Sequence, residues 1–250
     1  MGVKEQMHCV RRAVIMAAGT GKRMRPLTWE IPKPLVPVNG VRMIDSAIAA
    51  LWENGIREIY VVVGYLKEQF ASLPETWPGL RLIENPLYDS WNNLSSLYVA
   101  RDHLEDCMIL DGDQLVINSA ALSPQFVRSG YNAVWCEGET KEWLLEVRDG
   151  VVHGCSRTGG TGGWQLYSVS RWTREDSRQL RTCLELEYAR GSRELYWDDL
   201  ALFRYPERFS LGIREMQRGD VIEIDSLSEL AVLDKSYAPW LNAVNGGEQP

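Results

Sequence analysis

Residues Val14–Val38 read VIMAAGTGKRMRPLTWEIPKPLVPV, and this stretch decides the fold. A β-branched apolar run turns through Gly19 and Gly21, delivers Lys22, Arg23 and Arg25, and ends in a proline-stiffened segment carrying Lys33. A strand that feeds a short glycine loop lets backbone N–H groups approach an anion, because glycine has no Cβ and tolerates positive φ. The basic side chains then meet its charge. Two familiar phosphate loops do not fit. A Walker A loop needs four residues between its glycines and then Lys with Ser or Thr, whereas here only Thr20 separates the glycines and Arg23 follows Lys22. The dinucleotide fingerprint needs a third glycine where Met24 stands. An ordinary βα turn with solvated basic residues would not call for two separate basic elements at this spacing.

The 250 residues suffice for one α/β domain, read here as a single unit over 1–250 with a nucleotide-binding half (about 12–130) and an acceptor-binding half (about 131–236). Hydrophobic residues at 45% and charged residues at 24% exclude disordered and fibrous classes. A net charge of −7 argues against nucleic-acid binding, which draws on a broadly basic surface, so the basic loop is expected to serve a small local anion. No apolar run reaches the ~18 residues that span a bilayer, and MGVKEQMHCVRR lacks the apolar core of a signal peptide. No membrane insertion and a cytoplasmic location are expected. The five cysteines contain no C-x-x-C and are expected as buried free thiols. His8, His103 and His153 are isolated, which leaves zinc clusters and Ser/His/Asp triads without local support.

Periodicity predicts a helix over Met43–Trp52 and a strand over Glu58–Val63, completing a βαβ unit with parallel strands. A short helix over Tyr65–Ser72, a strand over Leu80–Ile83, a helix over Asn92–Leu104 and a strand over Cys107–Leu110 follow. This order predicts a doubly wound, mostly parallel Rossmann-like α/β sheet, whose ligands lie beyond the carboxyl ends of the strands, where Gly19, Gly64 and Asp113 fall. The second half reads as a smaller mixed or antiparallel part: strands over Ala133–Glu137, Trp143–Val147, Val151–Cys155 and Gln165–Val169, with Asp149–Gly150 as a hairpin turn. The run Thr158–Gly163 reads as a mobile loop. Helices are expected over Trp172–Tyr188, Glu194–Leu202 and Leu227–Leu233, the last capped by Asp225 or Ser226. Leu211–Met216 and Val221–Ile224 read as a hairpin over Arg218–Gly219–Asp220, and residues past Tyr237 as a frayed tail. Most of the ten tryptophans are expected in the core.

Two acidic sites stand out. Asp111–Gly112–Asp113 ends an apolar strand, and Asp198–Asp199 interrupts an aromatic segment; either alone is an ordinary turn, but buried acids need partners, and a shared cation such as Mg²⁺ would serve both.

The pattern A-A-G-x-G-[KR]-[RM] followed by P-K-P resembles the signature of the sugar-1-phosphate nucleotidyltransferases. With VVGYLKEQF, WNNLSSLY, LDGD, KEW, LYWDD and EIDS, from about Val14 to Leu233, the chain resembles the bacterial choline-phosphate cytidylyltransferase branch of that family. The resemblance implies CTP and phosphocholine as substrates, Mg²⁺, and transfer of CMP with pyrophosphate release. It places the nucleotide on Ala17, Ala18, Gly19, Thr20, Gly21, Lys22, Gly64, Tyr65, Asn93 and Asp111, with Arg23 and Lys33 as catalytic cations. It implies Asp113 and Asp198 as metal ligands, and Trp143, Tyr196 and Glu223 around the acceptor, since a quaternary ammonium is attracted to ring faces. Relatives acting on 2-aminoethylphosphonate, phosphoethanolamine or sugar 1-phosphates would keep the loop and the acids. A CTP-binding regulatory subunit without turnover is the reading from another class.

Overall fold

The computed structural model describes residues 6–245; residues 1–5 and 246–250, which include parts of the N-terminal segment and tail discussed above, lie outside the description. Four parallel strands form its first half: β1 (Arg12–Ala17), β2 (Glu58–Val63), β3 (Leu80–Glu84) and β4 (Cys107–Asp111), in the order β4-β1-β2-β3. After Arg12, β1 is buried at every position, as befits a parallel strand covered on both faces. Its side chains alternate: Ala13, Ile15 and Ala17 pack with Ile44, Ile48 and Leu51 of α1 (Met43–Glu53), while Val14 and Met16 pack with Leu94 and Leu97 of α2 (Leu94–Val99).

The second half contributes β5 (Gln114–Val116), β6 (Gly130–Thr140), β7 (Leu144–Arg148), β8 (Val151–Ser156), β9 (Gly160–Trp172), β10 (Gly212–Glu215) and β11 (Val221–Glu223). The nine-stranded sheet runs β6-β10-β8-β7-β9-β4-β1-β2-β3, and because β6 also pairs with β9, its first five strands close upon themselves. β9 joins the halves, its Val169–Trp172 end pairing antiparallel with Leu110–Cys107. Trp172 and Leu180 and Leu184 of α3 (Arg174–Ala189) fill the core beneath this seam.

Several expectations are corrected. Leu211–Met216 and Val221–Ile224 do not form a hairpin: β10 pairs with β6 and β8, while β11 pairs with β5. A turn does form at Gln217–Asp220, but the strands it joins part to different neighbours. The glycine run does not stay a loop, because from Gly160 onward it is the start of β9, registered against Thr140, Glu139 and Cys136 of β6. Helix 92–104 shortens to α2 plus a 3-10 turn at Arg101–His103, Tyr65–Ser72 to a 3-10 turn at Lys67–Phe70, and Glu194–Leu202 gives way to a π-helical turn at Leu200–Arg204. Trp172 belongs to β9, not to α3. Beyond α4 (Leu227–Leu233) the chain forms α5 (Ala238–Asn245) where a frayed tail was expected. Only Trp172 and Trp197 are buried; six tryptophans pack half-buried at core margins and Trp29 and Trp135 are exposed. Cys107, Cys136 and Cys183 are buried free thiols, whereas Cys155 is half-buried and Cys9 exposed. No described helix is long and apolar enough to cross a membrane.

Candidate active site

The turn after β1 is shaped by Gly21, held at φ 60°. A Cβ there would stand 3.0 Å from Thr28 Cγ2 and 3.1 Å from Lys33 Cβ, so both the backbone and its neighbours demand glycine. The Thr28 hydroxyl donates to the Gly21 carbonyl at 2.8 Å, and Met24 and Leu27 anchor the loop in an apolar cluster with Ile224, Leu227 and Leu230 at the start of α4. Above this loop, at the carboxyl ends of β1 and β4, lies a cavity of about 530 Å³ lined by Ala17, Ala18, Gly19, Thr20, Gly21, Lys22, Arg23, Lys33, Asn93, Asp111, Asp113, Tyr196 and Asp225.

Lys33 is the fixed cation of this cavity. It sits between Pro32 and Pro34, is 7% exposed, and its ammonium donates to Asp113 at 2.6 Å and Asp225 at 2.9 Å. Burial pulls its pKa down, but the two carboxylates outweigh burial and hold it above its ordinary value. Arg23 also reaches Asp225, at 2.8 Å. Burial alone would raise the Asp225 carboxyl; Lys33 and Arg23 reverse that and keep it below the usual carboxylate range. The two acids are brought together by β5 and β11, whose register sets Gln114 opposite Glu223, so Asp113 and Asp225 flank the same end of one ribbon.

A second cavity, about 220 Å³, adjoins the first and shares Arg23, Asn93, Asp111, Asp113, Tyr196 and Asp225 with it. Its remaining wall holds Glu142, Trp143, Leu166, Ser168, Asp198 and Glu223. Here the acids lack cationic partners. Asp198 Oδ1 and the neighbouring Tyr131 hydroxyl are both buried and neither closes a well-formed hydrogen bond among the described residues; burial pushes the Asp198 carboxyl up to about 7, against the pull of that hydroxyl. Glu223 meets the neutral amide of Gln114 at 2.9 Å and is likewise pushed up to about 7 by burial, reinforced by the charges of Asp113 and Asp225. Burial and the neighbouring acids Asp113, Asp198 and Glu223 raise Asp111 well above its ordinary value. The Trp143 ring meets Tyr196 and Phe203 edge to face, with centres 5.9 Å and 5.5 Å apart.

Fifteen of the seventeen residues expected at the site thus line the two cavities, and Gly64 and Tyr65 line neither. Tyr65 instead donates its backbone N–H to the Ala18 carbonyl at 3.1 Å, and Gly64 lies under the Tyr88 ring, 2.7 Å from where a Cβ would sit. Asn93 accepts the Trp197 N–H at 2.9 Å, fixing the segment that carries Tyr196 and Asp198. Asp225, Glu142 and Ser168 were not expected. Of the two candidate caps, Asp225 and Ser226, it is Ser226 that caps α4, in a capping box with Glu229, which leaves Asp225 to the cavity. The signal for Asp225 was its place directly after a strand, as for Asp113.

The parallel sheet with a basic glycine loop at its carboxyl edge is the layout of a phosphate site, and the sequence model of the nucleotidyl transferase family matches residues 12–122; together with a full-length relative 37% identical, this shows that the chain belongs to that family. Among its relatives, the 2-aminoethylphosphonate cytidylyltransferase of Lancefieldella rimae is 37% identical, over 92% of this chain and 95% of the relative. The choline-phosphate cytidylyltransferase of Streptococcus pneumoniae is 33% identical, over 90% and 97%. The solved structure of the CTP:phosphocholine cytidylyltransferase of S. pneumoniae superimposes with a TM-score of 0.82 at 32% identity, covering 91% of this chain and 99% of that one. The inositol-1-phosphate CTP transferase of T. maritima shares the fold, with a TM-score of 0.73 at 16% identity.

Proposed function

We propose that the protein transfers CMP from CTP to a small phosphate or phosphonate that carries an ammonium group. The observation that carries this reading is the junction of two cavities of opposite character, one built around a basic glycine loop, the other rich in carboxylates. A triphosphate suits the first and an aminoalkyl group the second, so the acceptor's anionic end would meet the α-phosphate at their shared wall. There the acceptor oxygen attacks the α-phosphorus, a new P–O bond forms, the bond to the bridging oxygen breaks, and pyrophosphate leaves. The nucleophile is already an anion at neutral pH, so no general base is needed; the work is positioning and charge neutralisation. Arg23 and Lys33 are placed to meet the departing pyrophosphate.

Mg²⁺ remains part of the proposal. No group of three or more His, Cys, Asp or Glu is arranged for a metal ion among the described residues, but Mg²⁺ characteristically takes one or two carboxylates and completes its shell with water and phosphates. The pair that fits is Asp113 and Asp225, whose carboxylates already converge on one cation, the Lys33 ammonium. Asp198, expected as the second ligand, takes no part in that cluster and stands in the adjoining wall beside Asp199. Bound there, Mg²⁺ would neutralise charge on the triphosphate.

For the acceptor, 2-aminoethylphosphonate ranks ahead of phosphocholine. Glu142, Asp198 and Glu223 offer oxygens to an N–H-donating ammonium, and the L. rimae relative supports the same acceptor. Phosphocholine is the second reading, favoured by Trp143 and Tyr196 in the same wall and by the S. pneumoniae relative. A pyrophosphate-release assay with CTP and UTP, each against 2-aminoethylphosphonate, phosphoethanolamine, phosphocholine and glucose 1-phosphate, tests the reading. CTP with an ammonium-bearing acceptor is the expected pair; turnover with glucose 1-phosphate alone, or CTP binding without turnover, would overturn it.

A further inference from the structure

Asp199 is 1% exposed, yet it sits in the wall behind the acceptor cavity as a buried carboxylate. Its two oxygens divide their duties. Oδ2 accepts the backbone N–H of Tyr196 at 3.0 Å, and Oδ1 accepts the guanidinium of Arg157 at 2.5 Å. That guanidinium lies over aromatic rings: its carbon is 4.1 Å from the centre of Phe203 and 5.5 Å from the centre of Trp143. Trp143 in turn lines the acceptor cavity with Tyr196. A cation held by a buried carboxylate therefore already lies beside Trp143, one of the two aromatic residues, with Tyr196, that line the acceptor cavity.

The two acceptor chemistries need different things from this wall. A trimethylammonium group has no N–H to donate and is held by ring faces, whereas a primary ammonium is held by carboxylate oxygens. Ring surface engaged by Arg157 is withdrawn from the first and irrelevant to the second. We propose that Arg157 sets acceptor specificity: a resident cation on the Trp143–Phe203 surface that disfavours a quaternary ammonium and leaves Glu142, Asp198 and Glu223 to receive a primary one. This rests on the acceptor reading above. Arg157 lines neither cavity and acts through Trp143 directly and through Asp199 on Tyr196, so it is a positioning residue rather than a catalytic one.

Loss of the guanidinium charge would draw any cation more strongly toward the cavity, so the informative readout is the ratio of kcat/KM for phosphocholine to that for 2-aminoethylphosphonate. Arg157→Gln keeps an N–H donor for Asp199 while removing the cation; Arg157→Lys keeps the charge while removing the planar face. The expected result for Arg157→Gln is a rise in the ratio of about threefold to thirtyfold, the range of one cation–π contact, carried by a lower KM for phosphocholine with the KM for CTP unchanged. Arg157→Lys should move the ratio the same way by less. A purely structural Arg157 would instead lower both acceptors and the melting temperature together, and an unchanged ratio in both variants would also overturn the inference. If Arg157→Gln does not fold, the lysine variant decides alone, with an unchanged ratio counting against it. Should the unmutated enzyme use neither acceptor, the acceptor reading itself falls; should it use 2-aminoethylphosphonate while the ratio stays fixed, that reading stands and only the role of Arg157 is refuted.

Discussion

The two cavities treat buried charge in opposite ways. Around the glycine loop the charges are matched: Lys33 holds Asp113 and Asp225, and Arg23 also reaches Asp225. Across the shared wall, among the described residues, Asp198 has an oxygen without a well-formed hydrogen bond and Glu223 meets the neutral amide of Gln114, and burial has pushed both carboxyls to about 7. In the first, the Lys33, Arg23, Asp113 and Asp225 charges are paired with one another; in the second, the carboxylates carry a desolvation cost that a cation would relieve. On the function proposed above, the paired charges would hold the phosphate side in register, and the unpaired carboxylates would make the acceptor side selective for an ammonium.

The largest effect that could break this comparison is expected from Lys33→Ala. On the proposed mechanism it removes a cation that meets the charge developing on pyrophosphate, and turnover should fall on the order of 10²- to 10³-fold. Asp113 and Asp225 would be left facing each other, so the melting temperature should fall as well. Steady-state kinetics and a thermal melt decide it; turnover within about threefold of the unmutated enzyme would mean that Lys33 serves folding alone.

A smaller but sharper test sets Asp225→Asn against Asp198→Asn. Removing one partner of a charged contact costs about 2–5 kcal/mol, enough for at least a tenfold change in the parameter affected. Asp225→Asn should lower kcat and weaken CTP, whereas Asp198→Asn should raise the acceptor KM and leave the KM for CTP alone. If both variants damage the same parameter, the division of labour between the cavities is wrong.

The same pair differs in the sign of its pH dependence. Asp198 has a folded pKa of about 7 against an ordinary 3.8, so the folded protein binds more protons between those values and loses stability as pH rises through that window. Asp198→Asn removes the loss, and its melting temperature relative to the unmutated protein should be level near pH 4 and highest above pH 7. Asp225 is shifted the other way: its contribution is present above its ordinary pKa of 3.8 and fades as pH falls through the lower folded value. The destabilisation caused by Asp225→Asn should therefore shrink toward acid. Melting curves from about pH 2 to 8 test both, the Asp225 arm below pH 4 and the Asp198 arm above it, and parallel profiles would contradict the contrast.

The smallest effect concerns Ser226, which caps α4 directly after Asp225. Ser226→Ala should cost about 1 kcal/mol of stability with only a minor loss of turnover. A loss as large as that of Asp225→Asn would show that the cap, and not the carboxylate, is what the site depends on.

The parallel half was legible in the sequence because its signals are local: β1 announces itself as an unbroken apolar run, α1 by its period, and Asp113 by its place after β4. The mixed half resisted because its decisive pairings are distant. Gln114 and Glu223 are 109 positions apart, and nothing near either residue reveals the register that brings Asp225 to Lys33. Turn chemistry at Arg218–Gly219–Asp220 predicted a hairpin correctly as a turn and wrongly as a pairing. Glycine content at 158–163 pointed to a loop, yet β6 supplies a partner strand that accepts glycine from position 160 onward. Tryptophan count predicted core, but ring size let most of these residues bridge core and surface instead.

The three-residue ribbon between β5 and β11 also sets an order of events in the life of the chain. As synthesis proceeds from the amino terminus, β1 to β4 and the glycine loop exist long before residue 225 does. A nascent or truncated chain ending at residue 220 would contain every parallel strand and the exposed basic loop, but Lys33 would have only Asp113 as a partner. The fold thereby withholds the complete Lys33–Asp113–Asp225 cluster until its last strand is laid down.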